Sequence, residues 1–226
     1  MAARLSKKEL KGPDIFQSSI EKITDFISEN KTRFYVIVTA IISAVIVAFA
    51  IYFYWNNYQS SAVELYNKAQ TYIAKTNAKP DDTKDSIILF KELIDKYPQS
   101  WSARMARYHL GNVYYNLGDI DNAISSYKDY ISSITSDNAG ITFLALTSLG
   151  YCYETKKDFK SALTYFEEAQ KGNNTGFESI GYSNIGRIYE LLNEKKKALE
   201  NYQNALLKTA DPSMSLFLKR KISSLS

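Results

Sequence analysis

LGNVYYNLGDIDNAISSY at residues 110–127, LGYCYETKKDFKSALTYF at 149–166 and IGRIYELLNEKKKALENY at 185–202 are three versions of one pattern. In each, an apolar residue precedes a glycine, and a tyrosine follows that glycine by three residues. An alanine comes twelve residues after the glycine and an aromatic residue sixteen after it. The glycines, Gly111, Gly150 and Gly186, are 39 and 36 residues apart. Self-similarity at such a period predicts a helical repeat protein.

This pattern resembles the tetratricopeptide repeat, whose unit is a helix-turn-helix of about 34 residues. The resemblance implies that each of the three glycines lies where the first and second helix of a unit pack closely. It implies that the alanines fill a small position opposite and the aromatic residues a large one: Ala123, Ala162, Ala198, Tyr127, Phe166 and Tyr202. The family has a second alanine three residues after the aromatic position, present here as Ala169 and Ala205. In the first unit Tyr130 replaces it, which predicts wider packing between the helices there.

The predicted fold is all-α, with a single N-terminal transmembrane helix, an α-solenoid of tetratricopeptide-like helix pairs and a C-terminal capping helix. Each helix pair leaves an apolar face that only the next pair covers, so several units are needed. We expect a degenerate unit at about 60–97, units at about 104–135, 143–172 and 179–210, and a cap at 213–225. Longer turns are expected at 135–140 and 173–176. An unrelated helical bundle is the alternative.

The transmembrane prediction rests on residues 34–54, which read FYVIVTAIISAVIVAFAIYFY and contain no charge, proline or glycine. A helix of that length spans about 31 Å, close to the hydrocarbon thickness of a bilayer. Tyr35 at one end and Tyr52, Tyr54 and Trp55 at the other suit the headgroup regions. A cleaved signal peptide is the alternative, but its apolar core would be shorter and closer to residue 1. The helix is expected to run on after the span, because residues 57–75 contain no helix breaker.

The charges near the span predict its orientation. Residues 1–33 carry seven Lys and Arg, whereas only Lys68 and Lys75 occur in roughly the first twenty residues beyond the span. Cytoplasmic flanks are enriched in such residues, so for an inner-membrane-type protein inserted through a translocon we expect 1–33 in the cytoplasm and 55–226 across the membrane from it. Residues 15–29 have the apolar spacing of an amphipathic helix, which would bind either lipid or a protein. The net charge of +4 is not concentrated after the span, so no nucleic-acid surface is expected.

The layout as a whole resembles the ancillary Sec-translocon subunits (YfgM-like) of bacterial inner membranes. The similarity is carried by a basic leader, the segment ITDFISENK, one span, the helix NNYQSSAVELYNKAQ, degenerate repeats and the tail DPSMSLFLKRKISSLS. The resemblance implies association with the protein-conducting channel and with periplasmic chaperones, in support of exported proteins. The repeats are better formed than is usual for that family, which leaves open a scaffold of another envelope machine.

Catalytic signals are weak. His109 is the single histidine and Cys152 the single cysteine, so a two-histidine metal site and an internal disulfide are excluded. Both fall inside the repeat pattern and are expected to pack in the core. Asp119 and Asp158 are expected to cap the helices that follow them. We therefore predict no enzyme activity, no cofactor and no metal site.

The repeats indicate protein binding instead. The family resemblance places a groove along the first helix of each unit, and its usual positions map onto Tyr108, Asn112, Tyr115, Asn116, Thr147, Tyr151, Glu154, Ser183, Arg187 and Glu190. Some members of the family hold the terminal carboxylate of a partner with a set of polar residues rich in lysine and arginine. Only Asn112 matches that set here, so we do not expect a free carboxyl terminus as ligand. Some of these tyrosines are alternatively expected to pack between helices.

Three hypotheses about function follow from these observations. The favoured one is a membrane-anchored interaction scaffold or co-chaperone with a periplasmic repeat domain, whose partners are translocon subunits, periplasmic chaperones or exported clients. The second is a structural scaffold of a motor, division or secretion apparatus, in which this chain could form an oligomer. The third is an enzyme or a subunit that activates one, and the scarcity of catalytic residue types argues against it. A mitochondrial import receptor with a cytosolic repeat domain is a further possibility with the opposite topology.

Overall fold

The computed structural model describes residues 15–74, 80–134, 139–171 and 176–226, which form helices and turns with no strand among them. In chain order the helices are α1 (Ile15–Glu29), α2 (Lys31–Ile73), α3 (Pro80–Lys96), α4 (Trp101–Asn116), α5 (Ile120–Ser132), α6 (Ala139–Thr155), α7 (Phe159–Gln170), α8 (Glu178–Leu191), α9 (Lys195–Lys208) and α10 (Pro212–Leu225). The all-helical prediction is confirmed for these residues. The first 14 residues and most of the two predicted long turns lie outside the described residues.

The chain divides into two compact regions, Met1–Asn57 and Tyr58–Ser226. The first region contains α1 and the beginning of α2. Helix α1 covers the predicted amphipathic segment, and its Ile20 and Ile23 side chains are 47% and 58% exposed. The side chains of Phe16 and Phe26, predicted on the same apolar face, lie outside the description.

Helix α2 is long and apolar enough to cross a membrane, and no other helix of the described residues meets that standard. The core helix of a soluble protein can pass the same test of length and composition, but such a helix is mostly buried. None of the most apolar window of α2 is buried, so it is a candidate membrane span near the amino terminus. The helix continues to Ile73, in agreement with the prediction that it runs on after the span.

The second region is built from helix pairs in sequence. Helices α4 and α5, α6 and α7, and α8 and α9 pack as pairs, and each pair also contacts the next. The end of α2 also contributes to the core, since Ala62 and Ala69 are buried in one cluster with Phe90 and Leu93. Helix α10 packs on α9.

Each complete pair is held by a close contact between the glycine of its first helix and the aromatic residue of its second. A β-carbon added to Gly111 would lie 2.5 Å from Cδ1 of Tyr127, and one added to Gly150 would lie 2.5 Å from Cε1 of Phe166. At Gly186 the equivalent distance to Cδ1 of Tyr202 is 3.0 Å. Because carbon atoms in contact are normally 3.5–4.0 Å apart, only glycine allows this approach without displacing the ring. The predicted roles of glycine and aromatic residue are confirmed.

The turn inside each pair repeats as well. Gly118, Lys157 and Asn193 each lie seven residues after the repeat glycine, and all three adopt a positive φ, of 76°, 61° and 60°. The following residue is the N-cap of the second helix, and Asp119 and Asp158 accept hydrogen bonds from the backbone N–H groups of Asn122 and Ser161. The predicted helix caps are therefore confirmed.

The capping helix begins as its sequence predicts, because Asp211 accepts hydrogen bonds from two backbone N–H groups and Pro212 occupies the first turn. Leu218 is completely buried against Ala198, Tyr202 and Ala205. Phe217, by contrast, is 42% exposed. It directly precedes Leu218 in the helix, and neighbouring side chains point about 100° apart, so the two cannot share one narrow contact face.

We predict that Gly150→Ala destabilises the repeat domain by about 1–3 kcal/mol, since the added methyl group must displace the buried Phe166 ring. Gly140→Ala is the matched control, because Gly140 lies on the same helix with no atom within 4 Å of its β-carbon position. That control is expected to leave stability unchanged or raise it by about 0.5 kcal/mol. Urea unfolding of the full chain in detergent, followed by circular dichroism, measures both. Equal effects of the two substitutions would contradict the close-contact interpretation.

Candidate functional site

The predicted groove positions lie on α4, α6 and α8, the first helices of the three complete pairs. Relative to the repeat glycine, the residue one place later is Asn112, Tyr151 or Arg187, and the residue four places later is Tyr115, Glu154 or Glu190. Residues three apart lie on the same side of a helix. The three helices therefore present one row of polar and aromatic side chains, which forms three local clusters.

The first cluster is a cleft of about 290 Å³ lined by Asn112, Tyr115, Asn116, Tyr127, Ser148 and Tyr151, which we call the amide-tyrosine cleft. Four of these residues were predicted as groove positions. Tyr127 reaches the cleft from the second helix, and its hydroxyl donates a hydrogen bond of 2.7 Å to the Asn112 side-chain oxygen. The cleft therefore offers amides, hydroxyls and aromatic faces, and none of its lining side chains is charged.

The second cluster joins α6 to α8. The Tyr151 hydroxyl donates to the side-chain oxygen of Asn184 at 3.0 Å, and Arg187 donates to the same oxygen at 3.3 Å. Arg187 also forms an ion pair with Glu154, and its guanidinium lies 5.5 Å from the centre of the Tyr151 ring. Arg187 is thus held by several partners at once.

The third cluster fixes the capping helix. Lys221 of α10 contacts both carboxylate oxygens of Glu190, at 3.0 and 2.9 Å, and the Tyr202 hydroxyl donates to Glu190 at 2.8 Å. Burial acts to raise the pKa of Glu190, but the hydrogen bonds from Lys221 and Tyr202 outweigh it and hold the pKa below its usual value. Glu190 is consequently an anion already neutralised by the chain itself.

Other predicted groove residues lie elsewhere. Tyr108 packs between helices, with its ring centre 6.0 Å from that of Tyr127 and 5.7 Å from that of Tyr130. Thr147 is only 6% exposed and its hydroxyl oxygen is buried. Ser183 is half-buried beside Asn184.

Sequence reasoning missed Ser148 and Asn184, and it assigned Tyr127 only a packing role. Ser148 and Asn184 each lie two residues before the repeat glycine, whereas the prediction took the residue three before it. The signal was available, because Ser148 with Tyr151 and Asn184 with Arg187 are pairs three apart on one helix face. The Tyr127 hydroxyl was the only sign that a core aromatic residue reaches the cleft.

His109 and Cys152 are packed residues, as predicted. The Nε2 atom of His109 lies 2.8 Å from the Tyr66 hydroxyl, which itself accepts a hydrogen bond from Gln70. The imidazole stacks on Phe90, and burial lowers the pKa of His109. Cys152 is fully buried, which raises the pKa of its thiol to about 11. Within the described ranges, no group of three or more His, Cys, Asp or Glu side chains is placed to hold a metal ion.

Comparison with known proteins agrees with this architecture. Residues 33–226 match a family described as tetratricopeptide repeat-like domain. Among curated protein sequences, none matches this chain.

Solved structures with the same fold include PilF from Pseudomonas aeruginosa, with a TM-score of 0.56 and 16% identity over 75% of this chain and 69% of that one. They also include a MamA fragment from Desulfovibrio magneticus RS-1, with a TM-score of 0.56 and 17% identity over 73% of this chain and 88% of the other. At these identities the likeness concerns the fold alone.

We predict that the chain loses stability as the pH falls from about 7.5 to about 5. The folded state holds the pKa of His109 below the value of about 6.5 in the unfolded chain, so the unfolded chain takes up the proton first and is favoured by acid. His109→Gln is expected to show a flatter profile in this window, because His109 is the only histidine. Thermal unfolding across the pH range measures the difference. Parallel profiles for the two proteins would show that His109 does not carry the effect.

Proposed function

We infer that this chain, which belongs to the tetratricopeptide repeat-like domain family, is a membrane-anchored scaffold that binds other proteins through the first helices of its repeats. The amide-tyrosine cleft is the observation that carries the proposal. Its amides can donate to and accept from a polypeptide backbone, while Tyr115 and Tyr151 offer large contact areas with few rotatable bonds. Proteins of this fold generally act by binding other proteins.

The chemistry of the cleft argues for an extended, uncharged stretch of polypeptide as ligand. Asn112 and Asn116 provide no charge, and Arg187 is already paired with Glu154 and Asn184. A terminal carboxylate would find no unpaired cation among the residues that line the cleft. Internal segments of a partner or client protein fit better than free carboxyl termini.

Membrane anchoring is the second part of the proposal. The apolar part of α2 is unburied along its whole most apolar window, and Lys and Arg are concentrated before it. Both features support one span with a cytoplasmic amino terminus and the repeat domain on the opposite side, and we assign that side to the periplasm of a bacterial inner membrane. The overall layout supports work beside the Sec translocon and periplasmic chaperones, on behalf of newly exported proteins.

Single-cysteine labelling tests the topology. Cys152 is fully buried with a raised pKa, so a cysteine introduced at an exposed position will react selectively with a maleimide. We expect Lys160→Cys in α7 to react with a membrane-impermeant maleimide in spheroplasts. Lys22→Cys in α1 is expected to react only after lysis. Unmodified protein provides the background from Cys152, and the reverse pattern would mean that the repeats face the cytoplasm.

Site-specific photocrosslinking tests the partner. A photoreactive phenylalanine analogue at the exposed Asn116 position, at the edge of the cleft, should form adducts with channel or chaperone subunits in native membranes. Placed at the exposed Lys160, away from the cleft, it should not. Tyr115→Ala in the first variant is expected to reduce the adducts about fivefold, the effect of losing roughly 1 kcal/mol of binding energy.

The adducts also discriminate between hypotheses. Adducts with subunits of a motor, division or secretion apparatus would replace the translocon assignment while keeping the scaffold function. Equal adducts at positions 116 and 160 would remove the cleft from the binding surface.

A further inference from the structure

A second cleft, of about 550 Å³, lies where the ends of α3 and α5 approach α4. Its walls include Ile94, Pro98, Arg104, Arg107, Asp129 and Ser132. It shares no residue with the amide-tyrosine cleft, so it is independent of the function proposed above. We call it the arginine cleft.

Two guanidinium groups dominate its electrostatics. Arg104 and Arg107 are three residues apart on α4, which places them on one side of the helix. Neither forms a salt bridge with any residue that the structure describes. The Nη1 atom of Arg107 is buried without a hydrogen-bond partner among those residues. Two like charges have thus been brought together without a direct counter-ion.

The surroundings compensate this charge only in part. Burial lowers the pKa of Arg107, Asp129 opposes that effect, and the neighbouring Arg104 adds to it. With two arginines and one aspartate, the cleft has a net charge of +1. Because removing a charge from water is costly unless it is paired, a bound anion would relieve the arrangement.

We propose that the arginine cleft binds a single carboxylate from an acidic segment of a partner protein. The planar guanidinium fork matches a carboxylate with two parallel hydrogen bonds. One carboxylate balances the net charge of +1, whereas a doubly charged phosphate would leave the cleft with a net charge of −1. Ile94 and Pro98 add an apolar wall that suits the aliphatic part of a glutamate or a neighbouring leucine. The cleft is therefore a second contact point that selects for negative charge.

The test uses the full chain in neutral detergent and an end-blocked, fluorescein-labelled hexapeptide of alternating leucine and glutamate. Fluorescence anisotropy should detect binding, and the peptide with glutamine in place of glutamate should bind at least tenfold more weakly. Arg104→Gln is expected to weaken binding of the glutamate peptide about tenfold. Arg220→Gln, which removes an exposed arginine of α10, is the matched control and should change it by less than about twofold.

A substitution with the opposite sign separates a charge effect from misfolding. Asp129→Asn removes the competing anion, so it should tighten binding of the glutamate peptide severalfold. Equal binding of the two peptides, or equal effects of Arg104→Gln and Arg220→Gln, would overturn the proposal. Displacement of the peptide by inorganic phosphate at lower concentration than by acetate, or by micelles containing phosphatidylglycerol, would overturn the assignment to a protein carboxylate.

Discussion

The close contact between glycine and aromatic ring is the constraint on which the repeat domain depends. In each complete pair, the ring of Tyr127, Phe166 or Tyr202 occupies the space that a side chain at the repeat glycine would fill. The two helices can therefore approach until the glycine backbone touches the ring. On the second helix, the small side chains of the fully buried Ala123, Ala162 and Ala198 allow the same close approach. Burial of this kind in every pair leaves one apolar face for the next pair to cover, which is why the units stack.

The same contact connects the core to the candidate binding surface. Where the aromatic residue is tyrosine, its hydroxyl passes beyond the glycine and donates to Asn112 or Glu190 on the first helix. Phe166 has no hydroxyl, and there the guanidinium of Arg187 lies 5.9 Å from the ring centre and completes the row of polar groups. A core substitution of tyrosine by phenylalanine thus changes the hydrogen bonding of the groove without altering the packing shape.

Much of the fold could be predicted because the repeat imposes its contacts at fixed spacing. Gly111 and Tyr127 are sixteen residues apart in a unit that forms locally, so the sequence contains both partners and their separation. The helix caps at Asp119 and Asp158 are equally local. The site was harder to predict, because the choice between Thr147 and Ser148 depends on how far each helix is rotated about its axis. That rotation is set by packing against neighbouring pairs, as the ring contacts of Tyr108 illustrate.

Contacts outside the groove fix how one pair follows another. The residue after the aromatic position meets the tyrosine three places after the glycine of the next pair. Lys91 lies over the ring of Tyr114, Lys128 donates to the Tyr153 hydroxyl at 3.1 Å, and Glu167 accepts from the Tyr189 hydroxyl at 3.0 Å.

The equivalent position is a lysine in two of these contacts and a glutamate in the third. None of the residues involved lines the amide-tyrosine cleft. Because stacking is secured elsewhere, the groove side chains are free to differ between units. A polypeptide lying across α4, α6 and α8 would meet uncharged amides at one end and an already paired arginine and glutamate at the other. Its sequence would therefore be recognised chiefly where the groove retains unpaired hydrogen-bonding capacity, at the amide-tyrosine cleft.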